Sequence, residues 1–296
     1  MSEKVLVVGG SGFIGGAVIK ILKAKGYQVK ILSRYKKGEA YISGDLLEPD
    51  SLVRAVEGND YVIQAAQFPG HPVERPWLGE AYTYEGLDGQ GTVNLVRAIQ
   101  EVKPALQRLI YLSGAGAGLG DDYPWLRAKR LAEGAVKGSG VPYTILRPSW
   151  VYGKGDRSMS KFVLFAKYLP FFPVIGDGKA PVNPVWVEDL AHIIVASLKA
   201  AELQNQTVEI GSRELTMLEV ARTVLRLTGQ SKPIIPHPKP LMKLGGLFAQ
   251  FIPGSPLSPG SVEFLTMDVH LGDLAESIAG VKIHSLEEGL LKSGLM

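Results

Sequence analysis

The feature that most constrains this chain lies close to its N-terminus, where an apolar run ends in regularly spaced glycines. Val5-Leu6-Val7-Val8 reads as a buried strand, and Gly9-Gly10-Ser11-Gly12-Phe13-Ile14-Gly15 follows it at once. A helical pattern then runs from Ile14 to Lys25. In such a turn the first glycine permits the tight reversal, the second lets backbone approach a phosphate, and the third lets the helix pack on the strand. The helix opening adds unpaired N–H groups and the positive end of its dipole. The segment therefore predicts that a dinucleotide pyrophosphate is held at Gly9, Ser11, Gly12, Phe13, Ile14 and Gly15. The plainer alternative is a tight strand-to-helix turn with no ligand.

Strand and helix signals alternate from there on. Val29–Leu32, Tyr41–Ser43, Asp60–Ile63, Arg108–Leu112 and Tyr143–Leu146 read as strands. Helical patterns lie at Asp50–Val56, Gly91–Glu101 and Trp125–Lys137. This grammar implies right-handed βαβ crossovers and a parallel sheet covered on both faces. The expected fold class is α/β, a doubly wound parallel (Rossmann) sheet with a smaller mixed C-terminal lobe. We expect the dinucleotide-binding domain to span 1–153, with a returning element near 182–212. Residues 154–181 and 213–296 would then form the small lobe. In the second half, helices are expected at Glu188–Ala200 and Thr216–Thr228 and a strand at Thr207–Ile210. The proline-rich run Ser231–Pro240 is expected to block regular structure.

Composition narrows the functional classes. The 296 residues are 46% hydrophobic, enough for a substantial core, and the formal net charge of +3 comes with no long basic run; nucleic acid is not an expected partner. With no cysteine, thiolate metal sites and thiol nucleophiles are excluded, and the five histidines form no H-x-x-x-H pair, so no metal site is expected. No apolar stretch reaches the roughly 20 residues of a spanning helix. The expectation is a soluble, cytoplasmic protein, with peripheral contact to a membrane and the oligomeric state left open.

Cofactor choice is read where the second strand ends. A carboxylate there favours NAD, whereas an arginine accommodates the 2′-phosphate of NADP. The strand ends Ser33-Arg34-Tyr35-Lys36-Lys37. Arg34 offers a planar donor fork that Ser33 and Lys37 can assist, so NADP is expected over NAD.

Further motifs carry a resemblance. Gly44-Asp45-Leu46, Ala65-Ala66-Gln67, Gly91-Thr92-Val93-Asn94-Leu95, Arg147-Pro148-Ser149-Trp150-Val151-Tyr152-Gly153 and Val187-Glu188-Asp189-Leu190-Ala191 stand in order along the chain. With the glycine turn, they resemble the extended short-chain dehydrogenase/reductase family over about residues 4–228. The resemblance implies that Asp45 and Leu46 meet the adenine, that Ala65, Ala66 and Gln67 lie beside its ribose, and that Pro148 and Ser149 lie near the nicotinamide.

The departures are as informative. The family's active site uses Ser or Thr, Tyr and Lys, with Tyr and Lys spaced Y-x-x-x-K so that both face one side of a helix. Here the stretch is Trp125-Leu126-Arg127-Ala128-Lys129. Lys129 stands where the resemblance implies a hold on the nicotinamide ribose, but an indole N–H does not titrate and cannot act as general acid or base. Tyr123 makes only a Y-x-x-x-R pattern with Arg127. Ala115 aligns with the family's catalytic hydroxyl, and Ser113 survives at the strand tip, expected to bond backbone or cofactor. The loop from Ser113 to Trp125 is shorter than in sugar epimerases. These traits resemble an atypical branch that includes the nucleotide-binding accessory subunit of respiratory complex I and its bacterial epimerase/dehydratase-like relatives, whose P-Y-L-R-x-K stretch is similar to Pro124–Lys129.

Three functions follow as expectations. The first is an NADPH-dependent oxidoreductase on an apolar carbonyl or quinone-like substrate, with Ser113 and Lys129 orienting acceptor and ribose. The second is a catalytically retired NADPH-binding subunit of a protein complex. The third is a nucleotide-sugar epimerase or dehydratase, which needs the proton shuttle that is missing. Two apolar segments, Phe162–Phe172 and Leu241–Ile252, either pack within the small lobe or form a substrate wall or membrane-facing surface.

Overall fold

The computed structural model describes residues 2–35, 38–68, 74, 78–79, 81, 83–102, 105–118, 123–156, 158–251, 255, 257–267 and 269–296. The chain divides into two compact units. One comprises Met1–Pro148, Leu190–Glu209 and Ser277–Val281; the other comprises Ser149–Asp189, Ile210–Glu276 and Lys282–Met296.

The first half runs through β1 (Lys4–Val8), α1 (Phe13–Ala24), β2 (Gln28–Ser33), β3 (Tyr41–Ser43), α2 (Pro49–Val56), β4 (Tyr61–Gln64), α3 (Gly91–Val102), β5 (Arg108–Leu112), α4 (Pro124–Lys137) and β6 (Tyr143–Pro148). A π-helical turn, Glu85–Gln90, leads into α3. There follow β7 (Val151–Tyr152), α5 (Met159–Tyr168), β8 (Phe172–Ile175), β9 (Pro181–Val182), β10 (Val185–Trp186), α6 (Val187–Ser197), β11 (Gln206–Ile210), β12 (Leu215–Thr216) and α7 (Met217–Leu227). The chain ends with β13 (Ile234–His237), α8 (Lys239–Ala249), α9 (Pro259–Leu265), β14 (Ser277–Ile278), β15 (Val281–Lys282) and α10 (Leu286–Ser293).

Seven strands form one sheet in the order β11-β6-β5-β4-β1-β2-β3. Its joins from β6 through to β3 are parallel. This is the expected doubly wound α/β arrangement. Every residue of β4 and β5 is buried, the pattern of strands covered by helices on both faces. The order reverses between β1 and β4, whose last residues, Val8 and Gln64, are register partners. A crevice beyond the carboxyl ends of strands at such a reversal is where doubly wound sheets bind ligands.

The second unit is built on short strands and the helices α5, α7 and α10, around a core that includes Trp150, Tyr152, Phe162, Phe172 and Leu290. α7 opens with a capping box, Thr216 and Glu219 exchanging bonds with each other's backbone amides. The proline-rich run corrects the sequence reading, because Ile234–His237 forms a strand parallel to β8. The carbonyls of Pro233 and His237 accept from the amides of Phe172 and Gly176 at 2.9 and 2.8 Å. In that two-stranded sheet β13 is an edge, where the missing N–H of Pro236 is tolerated.

Candidate functional site

The glycine turn has the stereochemistry its spacing predicts. Gly9 has φ +84°, and a Cβ there would overlap the backbone of Ala65 and Ala66. A Cβ on Gly15 would overlap the Gly9 carbonyl. The Gly12 amide donates to that carbonyl at 2.9 Å, and no side chain caps α1, which begins at Phe13. The first helical amides are thus presented uncapped beside backbone that side chains would fill, which fits a diphosphate. Ser11 is exposed within the turn.

The neighbouring strand ends supply the other expected contacts. Arg34 follows β2, half-exposed, with Nη1 3.8 Å from Asp45 Oδ2 and its guanidinium over the Tyr35 ring at 5.2 Å. The Ser33 hydroxyl accepts weakly from the Tyr35 amide at 3.4 Å. Lys37 lies outside the described residues. Asp45 is fixed by its own backbone, since Oδ1 accepts from the Leu47 amide at 3.0 Å. Leu46 is buried, and its carbonyl accepts from Asn94 Nδ2 at 2.9 Å. After β4, the Ala65 amide donates to the Val8 carbonyl at 2.9 Å, the Ala66 amide donates to Gln64 Oε1 at 3.1 Å, and Gln67 is exposed. The structure thus gathers Arg34 with Asp45, and the glycine turn with Ala65 and Ala66.

The residues expected around the nicotinamide are arranged differently. Lys129 Nζ lies 3.0 Å from Asp88 Oδ2, with side chains only 8% and 3% exposed. Asp88 sits in the π-helical turn and accepts a short bond, 2.5 Å, from the Phe68 amide. The Lys129 ammonium also lies 5.8 Å from the centre of the Tyr111 ring. Burial, reinforced by Asp88 and then Glu133, pushes the Tyr111 phenol well above its ordinary pKa. That phenol therefore stays neutral and does not replace the missing tyrosine as a base. Trp125 stacks on Tyr123 at 4.6 Å, and Tyr123 lies at the N-cap of α4.

For the Ser113 hydroxyl, expected to bond backbone or cofactor, the partner within the chain is a side chain. The hydroxyl donates to Glu133 Oε1 at 2.6 Å. Glu133 also accepts from Arg147 Nε and Nη2 at 2.8 and 2.7 Å, and Arg147 Nη1 reaches Glu209 at 3.0 Å. Burial raises the Glu133 pKa, but the bonds from Arg147 and Ser113 outweigh it and hold the carboxyl below its ordinary range. Burial has the upper hand at Glu209, whose carboxyl is raised. The Pro148 carbonyl accepts from the Ala115 amide at 3.0 Å. Ser149 opens the second unit, its amide bonded to the Ile210 carbonyl at 2.9 Å.

Sequence reasoning missed Asp88 and Glu133. Glu133 carried a usable signal, standing four residues before Lys137 on α4, with which it pairs at 3.7 Å. Asp88 carried none, because no local pattern links it to a lysine on another helix.

Residues 5–211 match the NAD dependent epimerase/dehydratase family. The chain belongs to this family. Its members are NAD(P)-binding Rossmann proteins of the extended short-chain dehydrogenase/reductase type, and the atypical placing by resemblance agrees with the relatives found. The Mus musculus protein named NADH dehydrogenase [ubiquinone] 1 alpha subcomplex subunit 9, mitochondrial, is 26% identical over 288 residues, covering 90% of this chain and 72% of that protein. A 2-alkyl-3-oxoalkanoate reductase of Stenotrophomonas maltophilia is 27% identical, covering 76% of each. The UDP-glucose 4-epimerase of Thermotoga maritima, solved with UDP-glucose, shares the fold with a TM-score of 0.72, 20% identity and coverage of 98% of this chain and 97% of that one.

Proposed function

We propose that this chain binds NADP(H) as a member of its family whose proton relay has been lost, and that it serves as a nucleotide-binding module within a larger assembly. The observation that carries this reading is Trp125 standing four residues before a lysine sealed against Asp88. A bound nicotinamide supplies a hydride to an acceptor placed against it. At the family's donor position stands an indole, which does not titrate, and the Ser113 hydroxyl is committed to Glu133. Arg34 supports a 2′-phosphate and hence NADP over NAD. Such a ligand, bound only by the folded form, stabilises it by mass action. The likeness to a mitochondrial NADH dehydrogenase subunit favours a place in a complex.

A second reading is favoured by the likeness to a reductase. Here the chain is an NADPH-dependent oxidoreductase on an apolar carbonyl or a quinone-like acceptor that takes its proton from water. One experiment separates the two. NADPH binding is measured by calorimetry, and NADPH consumption is followed over a carbonyl and quinone panel for the wild type, Lys129→Ala and Trp125→Tyr. The module reading expects tight binding without turnover in the wild type. Wild-type turnover that Lys129→Ala abolishes would overturn it.

A further inference from the structure

Among the described residues, the Lys129 ammonium is paired with one carboxylate, that of Asp88. Glu133, one turn further along α4, is spent on Arg147 and Ser113. Lys129 Nζ is buried and has no hydrogen-bond partner among the described residues, since Asp88 meets it out of alignment. An ammonium carries three donors, and buried donors seldom stay unspent. The hydroxyls of the nicotinamide ribose, which the resemblance puts at this lysine, are acceptors of the kind it lacks.

Asp88 is held from the other side. Its Oδ1 accepts from the Phe68 amide, and its carbonyl accepts from the Thr92 hydroxyl at 2.8 Å. It lies in the π-helical turn, a rare element that recurs at functional sites. The Phe68 amide needs only an acceptor, which a neutral amide oxygen would also supply. What the carboxylate adds is a negative charge beside the ammonium.

That charge bears on the oxidation state of the ligand. The oxidised nicotinamide ring is positive and the reduced ring is neutral. An unanswered ammonium at the ribose would repel the oxidised ring, and burial leaves such a repulsion poorly screened. We propose, on the nucleotide reading above, that Asp88 offsets the charge of Lys129 and thereby sets the redox preference of the site, so that the chain retains NADP+ about as well as NADPH. A module stabilised by its nucleotide then keeps its ligand whichever form the surroundings supply.

Calorimetry of NADP+ and NADPH binding to the full chain tests this, read as the ratio of the two dissociation constants. In the wild type the two should agree within about threefold. Asp88→Asn should shift the ratio about tenfold toward NADPH, which raises the midpoint potential of the bound couple by about 30 mV. Lys129→Met leaves Asp88 its bond from the Phe68 amide and should shift the ratio as far toward NADP+. The double variant should return to the wild-type ratio. A purely structural role for the pair would weaken both nucleotides alike and leave the ratio fixed. The proposal is overturned if the ratio stays within about twofold of the wild type in both single variants, or if both move it the same way. Should Asp88→Asn fail to fold, Lys129→Met decides alone. If neither nucleotide binds the wild type, the nucleotide reading falls and takes this proposal with it; if both bind and the ratio does not move, this proposal falls by itself.

Discussion

Lys129 and Asp88 form an ion pair sealed inside the first unit, 3.0 Å apart, the ammonium meeting the carboxylate outside hydrogen-bond alignment. Removing one charge strands the other away from water, which costs about 3–5 kcal/mol. Asp88→Asn keeps an acceptor for the Phe68 amide but leaves Lys129 unpaired, so it should destabilise by about that amount. Adding Lys129→Met should recover most of the loss, because it removes the buried charge that Asp88→Asn leaves unpaired. Urea unfolding of the two single variants and the double variant measures this; equal losses in Asp88→Asn and the double variant would show that the pair is not coupled.

Gly9 and Gly12 separate folding from binding. Gly9→Ala puts a side chain at φ +84° and into the Ala66 backbone, and should lose about 2 kcal/mol or more. Gly12 has an ordinary φ of −83°, and the nearest atom to its added Cβ would be the Gly9 carbonyl oxygen at 3.2 Å. Gly12→Ala should therefore unfold within about 1 kcal/mol of the wild type, yet lose nucleotide affinity because its methyl group occupies the approach to the helix amides. Calorimetry with NADPH, alongside thermal unfolding, checks both.

The first half of the fold was legible because its central strands β1, β4 and β5 are buried on both faces and its turns follow the glycines. The expected start of α3 at Gly91 agrees with the structure. The π-helical turn before it was not legible, since no sequence period marks it, and it carries Asp88. In the second half, Met159–Tyr168 forms a helix where the sequence reading named no element. That helix is held by Phe162, Val163 and Ala166 in the core of its unit, a tertiary reason that local pattern does not reveal. Leu241–Ala249 did show helical spacing, but spacing alone does not say that the apolar side faces out. Ile252 lies outside the described residues.

Arg34 sets cofactor choice in the proposed function. Its guanidinium is half-exposed beside Asp45. A lost charge-assisted bond to the 2′-phosphate is worth about 1.5–3 kcal/mol, or roughly ten- to a hundredfold in affinity. Arg34→Ala should weaken NADPH binding by that factor and leave NADH binding within about twofold. Equal losses for both nucleotides would mean that Arg34 does not read the phosphate.

Glu133 joins Ser113 to Arg147, and its titration gives a pH signature. Its folded carboxyl titrates below the ordinary value of 4.5 because the Arg147 and Ser113 bonds outweigh burial. A depressed carboxylate contributes stability above its unfolded pKa and loses it as pH falls through the folded value. Glu209 has the opposite sign: its raised pKa opposes folding at neutral pH and is relieved as it protonates on the way down. Glu133→Gln should therefore destabilise most at neutral pH, by about 3 kcal/mol, and the gap to the wild type should narrow below pH 4.5. Ser113→Ala removes one bond to this carboxylate and should cost about 1–2 kcal/mol without changing NADPH affinity. If Ser113→Ala instead weakened NADPH binding with stability intact, its hydroxyl would belong to the nucleotide site and not to the Glu133 network.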